Sequence, residues 1–364
     1  MKAIKLFLIS NMYPSKVNPG FGVFVKNFKV NQEERGVQFP YVSVINQKAK
    51  GIVNKFEIYF KHYINIFKNF FKKDYDIIYI HFISHNAPIF LFLLTFFKKK
   101  KPIVVNVHGS DIIKYNSGFL GFCNSFLLRR TDLVVVPSTF FLEIMLTKFP
   151  FLNLKNIFVS PSGGIDSSVF YPTNYNCVKK SEILRVGFVS RIDKGKGWDV
   201  FLESLFILKS KGIIFSAVIA GNGAQVEIMK DEIKSLRLTD DVLYLGGLKQ
   251  EELRIVYNDI DIFVFSSKEV ESLGLVGIEA MSCGIPIIAC DSAGPKTYVN
   301  DNINSFLVKP GSSSEVAEAL IKFKNMSLLE KDKIKREALN TAKLFNSILV
   351  GDSLCAKLTT LCIK

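Results

Sequence analysis

Two glutamates eight positions apart, Glu271 and Glu279, frame Gly274 in the stretch FSSKEVESLGLVGIEAMSCGIPIIACDSAGPKT, residues 265–297. An ionised carboxylate only accepts hydrogen bonds, so such a pair suits a ligand rich in hydroxyl groups. Upstream, Arg191 and Lys196 flank a short loop in SRIDKGKGWDV. A guanidinium and an ammonium there can neutralise a diphosphate, above all one that gains charge as a leaving group. Lys194, between them, reads as a solvated bystander. In the first half, His108 closes an apolar run in VHGSD, and Gly109 gives close access to it. Gly22, in YPSKVNPGFGVFV, and Gly221, in AGNGAQV, sit where a strand gives way to a loop and a helix. Such glycines let backbone N–H groups approach a phosphate, and they equally serve a tight turn. A nucleotide sugar carries both kinds of group, phosphate and hydroxyl.

The elements that must position these residues follow from apolar runs and breakers. Ile260 to Phe265 is short enough for a buried strand; a helical pattern follows Leu273 and is stopped by Gly284-Ile285-Pro286, and Ile285 to Ala289 is a second strand. That order puts the loop and helix start at the carboxyl edge of a parallel sheet, where free N–H groups and the helix dipole attract an anion. Gly274 and Leu275 would supply those amides, with Glu271 just before the helix and Glu279 about a turn and a half into it. The same logic predicts strands at Lys5–Ser10, Asp76–Phe82, Ile103–Val107, Leu133–Pro137, Leu184–Val189, Phe215–Ala220, Val242–Leu245 and Phe306–Val308. Ser138 and Thr139 read as a helix cap. Thr173 to Ser181 is polar and unpatterned, as a linker between domains would be. GNG at 221–223 suggests a dinucleotide fingerprint, but Val226 stands where the third glycine belongs.

Glu-x7-Glu within ESLGLVGIEAMSCGIPIIA resembles the donor-site signature of the family 4 retaining glycosyltransferases. Ser266-Ser267, Gly274, Glu-Ala-Met, Gly284-x-Pro286 and Gly294 fall where that family has them, and Arg-x4-Lys-Gly matches its diphosphate pair. HGSD and PSGGIDSSVFYP are similar to its acceptor-side histidine and its exit from the first domain. The resemblance implies a GT-B fold: two Rossmann-like α/β domains facing each other across a cleft. Residues 1–172, with about 346–364, would form the acceptor domain, and 173–345 the donor domain. It also implies a retaining transfer from a UDP- or GDP-sugar with no metal and no cofactor. Arg191 and Lys196 would hold the diphosphate, Glu279 the ribose, Glu271 the sugar hydroxyls and His108 the transferred sugar, while Gly22 and Gly221 lie beside the donor. His81 and His85 are candidates for the acceptor groove, and Asp111 is read as structural. Ala293, Thr297 and Ser305 depart from the family pattern, Thr297 standing in for a usual glutamate. Asp259-Ile260-Asp261 spells the metal string of a different glycosyltransferase class, yet it opens an apolar strand and is expected to be structural. A sugar-nucleotide epimerase of the same layout and a non-catalytic sugar-nucleotide binder are the competing readings; the four charged positions argue against both.

With 364 residues, 48% hydrophobic and 22% charged, the chain is expected to fold into two packed domains. The net charge of +14 calls for a partner or a surface. The interleaving of aromatics and basic residues that marks a nucleic-acid module is not evident. Six scattered cysteines without C-x-x-C spacing read as reduced thiols, not a zinc site. MKAIKLFLIS reads as a first buried strand in preference to a signal peptide. The apolar run from Ala87 to Phe97 falls short of the ~20 residues a span requires. A cytoplasmic protein, in part at the inner face of the membrane, is the expectation. Between Gly51 and Lys73, Phe56, Phe60, Tyr63, Phe67 and Phe71 recur at helical spacing among Lys55, Lys61, Lys68, Lys72 and Lys73. Two readings stand: a helix with its aromatic face in the core and its lysines in water, or a basic amphipathic surface resting on an anionic leaflet. The loop around Gly22 looks like enzymes of bacterial surface polysaccharide assembly, which suggests a lipid-linked glycan acceptor; a soluble acceptor is the alternative.

Overall fold

The computed structural model describes residues 3–18, 20–114, 117–173 and 182–362. Most of the expected linker, with Cys177, lies outside them; the other five cysteines are unpaired thiols. The chain divides into two compact units, residues 1–164 with 347–364, and residues 165–346. Ile165 and Phe170 belong to the apolar core of the second unit.

The first unit runs β1 (Lys5–Ser10), α1 (Val23–Glu33), β2 (Gln38–Val44), α2 (Ile52–Phe70), β3 (Ile77–His81), α3 (Ile83–Phe96), β4 (Ile103–Asn106), α4 (Ser110–Ile113), α5 (Gly118–Leu128), β5 (Leu133–Val136), α6 (Thr139–Lys148) and β6 (Ile157–Val159). Its parallel sheet has the order β2-β1-β3-β4-β5-β6. β1, β3 and β5 are buried along almost their whole length, as strands covered by helices on both faces must be. One layer of core holds Phe7, Ile78, Val105 and Phe141, and the other Leu6, Leu8, Tyr79 and Val135.

The second unit runs β7 (Leu184–Val189), α7 (Trp198–Ser210), β8 (Phe215–Ala220), α8 (Val226–Ser235), β9 (Val242–Tyr244), α9 (Gln250–Asp259), β10 (Ile262–Phe265), α10 (Leu275–Ser282), β11 (Ile287–Cys290), β12 (Phe306–Val308), α11 (Ser313–Asn325) and α12 (Leu328–Lys343). α13 (Ser347–Cys362) returns to the first unit, where Arg35 reaches Asp352 at 2.7 Å and the carbonyl of Ile348 at 2.8 Å. The second sheet is ordered β12-β11-β10-β7-β8-β9, also parallel. Read from its first strand this is the doubly wound 3-2-1-4-5-6 arrangement, whose winding reverses between β7 and β10. In the first unit the reversal lies between β1 and β3. Ligands of open α/β sheets bind at such reversals, outside the carboxyl ends of the strands.

Helix α2 corrects one of the two expectations for it. Its buried stripe is Ile58, His62 and Ile66, whereas Phe56 is 75% exposed and Phe60 67%. Phe56, Phe60, Phe67 and Phe71 lie outside, Tyr63 packs partly against the core and donates to the His85 carbonyl at 2.7 Å, and the core takes the narrower stripe. Among the described residues no helix is long and apolar enough to cross a membrane.

Candidate active site

In the second unit the loops that leave β7 and β10 are tied together at the point of reversal. The N–H groups of Lys268 and Glu269 donate to the carbonyl of Gly195 at 2.8 and 3.2 Å, and the Ser266 hydroxyl donates to that of Gly197 at 2.8 Å. Gly197 has φ 82°, and a Cβ there would lie 1.9 Å from the Ser266 carbonyl oxygen. Only glycine permits that approach. On the other side, Ser190 N–H donates to Ala220 and Ile192 N–H to Asn222, and a Cβ on Gly221 would lie 1.7 Å from the Ser190 oxygen. Gly221 thus seats the β7 loop, and Arg191 with it.

The expected diphosphate cations are already answered by carboxylates. Lys196 Nζ lies 2.9 Å from Glu271 Oε1 and 2.9 Å from Glu269 Oε2, with only 12% of its side chain exposed. Burial pulls this ammonium down, but the two carboxylates outweigh it and hold it above its usual range. Glu271 is fixed a second time by the Ser267 hydroxyl at 2.8 Å. Arg191 is open to solvent, its Nη1 2.8 Å from Asp193 Oδ2, and Asp193 also accepts from Ala224 N–H at 2.8 Å. Lys194 is exposed. Sequence spacing brings out Arg191, Lys196 and Glu271, but not Asp193 or Glu269. Two charges only two positions from a candidate site residue were the available signal.

Gly274 starts α10 in the left-handed region, φ 84°, and brings no capping side chain. A Cβ on it would meet the Phe265 ring at 2.4 Å, and its carbonyl accepts from the Tyr298 hydroxyl at 3.1 Å. Leu275 is the first residue of that helix. Glu279 faces inward at 8% exposure and accepts from the Tyr257 hydroxyl at 3.1 Å. Burial raises its carboxyl to about 7, against a smaller opposing pull from the tyrosine. Glu279 and Glu271 therefore differ: one is half neutral near pH 7, the other is held by an ammonium. Of the departures from the family pattern, Ser305 is buried and accepts from Ile287 N–H at 3.0 Å, Thr297 caps its own turn on Gly294 at 2.6 Å, and Ala293 takes φ 54°.

In the first unit the loop after β1 ends at Gly22, φ 74°, which starts α1; a Cβ there would lie 2.6 Å from Met12. His108 follows β4. Its Nε2 is 2.9 Å from His81 Nδ1, and its ring stacks on Phe82 at 5.3 Å and meets Phe24 at 4.4 Å. Burial pushes the His108 imidazole down to about 3, so it works as a neutral ring. Asp111 accepts from His108 N–H at 3.0 Å and from Ile83 N–H at 3.2 Å, which holds the turn together. Phe82 sits at φ 63°, a conformation that costs a non-glycine residue on the order of 1–2 kcal/mol. His81 is 1% exposed and lies behind His108, which corrects its place in an acceptor groove; His85 is half-buried against Tyr59, ring to ring at 5.7 Å. Asp259 and Asp261 both pair with Arg185, at 3.3 and 2.7 Å. Among the described residues no three His, Cys, Asp or Glu side chains cluster as a metal site would.

Residues 178–341 match the family described as Glycosyl transferases group 1. The second unit carries a glycosyltransferase group 1 domain. The chain is 26% identical over 296 residues to an uncharacterized glycosyltransferase of Methanocaldococcus jannaschii, which covers 77% of this chain and 72% of that protein. It is 28% identical over 144 residues to the amylovoran biosynthesis glycosyltransferase AmsK of Erwinia amylovora, covering 38% of this chain and 35% of that one. Among solved structures, sucrose-phosphate synthase from Thermosynechococcus elongatus superposes with a TM-score of 0.77 at 18% identity, over 98% of this chain and 99% of that one. Anabaena HepE in complex with UDP and glucose gives 0.72 at 18% identity, over 98% and 100%. The fold is therefore the GT-B arrangement of two parallel-sheet α/β domains.

Proposed function

We propose that this chain is a glycosyltransferase that moves a sugar from a nucleoside diphosphate sugar to a glycan acceptor, with retention at the anomeric carbon and no metal. The observation that carries the reading is the contact of Lys196 with Glu271 at the reversal of the second sheet, with Arg191 at the other end of the β7 loop and the start of α10 free of any capping side chain. A diphosphate entering there meets a cation at each end of the β7 loop and backbone amides at Gly274 and Leu275. As the bond between the sugar and the diphosphate breaks, negative charge grows on the leaving oxygen. Arg191 and Lys196 stabilise that charge in place of a metal. Glu271, once Lys196 turns to phosphate, is released to accept from sugar hydroxyls. Glu279 accepts from the ribose, and Tyr257 keeps its carboxyl oriented. In the first unit, neutral His108 offers a hydrogen bond to the transferred sugar without a competing charge, and Gly22 lets the backbone approach the donor.

Uridine is the first nucleoside to test, because the HepE complexes hold UDP, UDP with glucose, and UDP-glucose. Guanosine is the second, because a relative from Mycobacterium tuberculosis, 25% identical over 234 residues, is a GDP-mannose-dependent mannosyltransferase. That relative acts on a phosphatidylinositol monomannoside, and AmsK serves amylovoran biosynthesis, which supports a lipid-linked acceptor in surface polysaccharide assembly. The test is a thermal-shift panel of UDP, GDP, dTDP and ADP with EDTA and with magnesium. A ligand at a hundred times its Kd adds about 2.7 kcal/mol. One base that stabilises equally well in EDTA is the expected result. No response to any base overturns the reading. Stabilisation only with magnesium overturns its metal-free form.

A further inference from the structure

Among the described residues of the first unit, the outward face of α2 is largely uncovered. Ile52, Val53, Phe56, Phe60, Ile64, Phe67 and Phe71 are all exposed and fall on one side of the helix and its exit. The stripe continues onto α3: Phe67 meets Phe92 at 6.4 Å, Phe71 meets Phe97 at 4.9 Å, and Phe96 is 68% exposed. At 150–250 Å² per ring, Phe56, Phe60 and Phe96 alone present on the order of 400 Å² of apolar surface. That is already the size of the largest patch on an ordinary monomer, and such patches mark interaction sites.

Charge identifies the occupant. The first unit has 24 Lys and Arg against 9 Asp and Glu, net +15, while the second has 23 against 24, net −1. The whole excess of the chain lies on the unit that bears the aromatic stripe. Lys68, Lys72 and Lys73 are exposed along its border and Lys98 and Lys100 at the exit of α3. A protein partner would need an acidic surface with a long aromatic-sized groove. An anionic bilayer offers a negative plane over an apolar interior without any such matching.

We propose that this face of α2 and α3 lies on an anionic membrane, with the phenylalanines in the boundary between headgroups and acyl chains and the lysines among the phosphates. The helix begins at the carboxyl edge of the first sheet, the edge that carries the Gly22 loop and His108. Tyr59 ties the two, accepting from Asn11 Nδ2 at 3.4 Å. A membrane-held acceptor would thus meet the protein on the rim where the acceptor is expected, which rests on the glycosyl-transfer reading above.

The test is co-sedimentation of the full chain with vesicles of phosphatidylcholine alone and of phosphatidylcholine mixed with phosphatidylglycerol, at low and high salt. Binding to the anionic vesicles alone, weakened by salt, is expected. Replacing Lys68, Lys72 and Lys73 by Glu should lower the partition coefficient by about fivefold per charge neutralised, more than a hundredfold in all. Phe56→Ser with Phe60→Ser should lower it at least tenfold while leaving the circular dichroism unchanged, because neither ring is in the core. UDP-induced thermal shift, read on the same variants, reports the donor site separately. Lost vesicle binding with an intact nucleotide response supports the proposal. Unchanged vesicle binding in both variants overturns it and leaves the transfer reading standing; a missing nucleotide response overturns the transfer reading alone. A wild-type dimer in sedimentation velocity that Phe56→Ser/Phe60→Ser splits, with no vesicle binding, assigns the face to a second copy and overturns the proposal.

Discussion

In the second unit the charges around the candidate site answer one another: Lys196 with Glu271 and Glu269, Arg191 with Asp193, Arg185 with Asp261 and Asp259. In the first unit the candidate site is built from a neutral imidazole, aromatic rings and backbone, and an excess of +15 is spread over the outside. The difference teaches where each unit expects its ligand's charge. The second, at net −1, already holds Arg191 and Lys196 on carboxylates of its own, so a diphosphate has to compete with Asp193, Glu269 and Glu271 for them. The first pairs Lys29, Arg35, Lys61 and Lys99 with carboxylates but has far more cations than anions to pair them with, an excess that tolerates solvent at little cost and favours an anionic surface.

The largest effect should come from removing a cation that has no substitute. Arg191→Ala or Lys196→Ala is expected to lower transfer by about a hundredfold to a thousandfold, the range for deleting one pre-aligned group that meets developing charge. Arg191 is exposed, so the melting temperature of its variant should move little, whereas Lys196→Ala also leaves Glu271 and Glu269 without their ammonium and should lower it. Turnover within tenfold of wild type in either variant would remove the diphosphate assignment and, with it, the contrast between the units.

Next in size is the pH behaviour of Glu279. Its folded carboxyl is raised from 4.5 to about 7 by burial, so the folded state keeps a proton that the unfolded chain has released. The stability this gives is complete below about 4.5 and is lost as pH rises through about 7, on the order of 3 kcal/mol in all. Glu279→Gln should flatten that slope, gaining stability at pH 8 relative to wild type, as urea melts at pH 5 and pH 8 would read. The difference between the two proteins isolates Glu279 from Asp111, which burial raises to about 6 in the first unit. UDP affinity in the wild type should rise between pH 6 and 8, since only the ionised carboxylate accepts at both oxygens. An equal slope in both proteins would show that Glu279 is not the group responsible.

A first-unit counterpart is Gly22→Ala. The new Cβ would meet Met12 at 2.6 Å with φ at 74°, so the loop must move. Destabilisation of roughly 1–3 kcal/mol is expected from strain of this kind, with the Kd for UDP raised more than the acceptor KM. Equal losses in both would mean that the glycine serves the fold and not the site.

What the sequence made legible follows the same contrast. β1, β7, β8 and β12 match their expected ends to the residue. β1 and β7 do so because strands buried on both faces are plain apolar runs closed by turn residues. β8 and the edge strand β12 do so because their apolar residues are bounded by turn residues, even though Ser216 is exposed and Leu307 half-buried. β2 was missed: it is an edge strand with Pro40 in it, half-exposed along its length, so it has neither a run nor a clean alternation. In the site, chain spacing disclosed Arg191, Lys196, Glu271 and Glu279. It could not disclose that Lys196 and Glu271 touch, since 75 positions separate them. It also could not choose a face for α2. Phenylalanines at helical spacing make the stronger periodic signal, yet the core takes Ile58, His62 and Ile66, the last row a reader would choose. Periodicity reports that a stripe exists, and burial depends on what lies across from it.

The smallest predicted effect is the most direct test of internal competition. Glu269 is half-exposed and shares Lys196 with Glu271, but only Glu271 belongs to the expected sugar contact. If Glu269 competes with a diphosphate for Lys196, neutralising it should help the ligand. Glu269→Gln is expected to tighten UDP binding by roughly two- to fivefold, the range of a partly exposed ion pair. The gain should shrink at high salt, because screening weakens the competing pair along with the ligand's own attraction. Weaker binding in the variant would reverse this: Glu269 would then be holding Lys196 in position for the phosphate, and the site of the second unit would be preorganised and not self-compensated. Isothermal titration at two salt concentrations separates the cases by the sign of the change, which requires no assumption about its size.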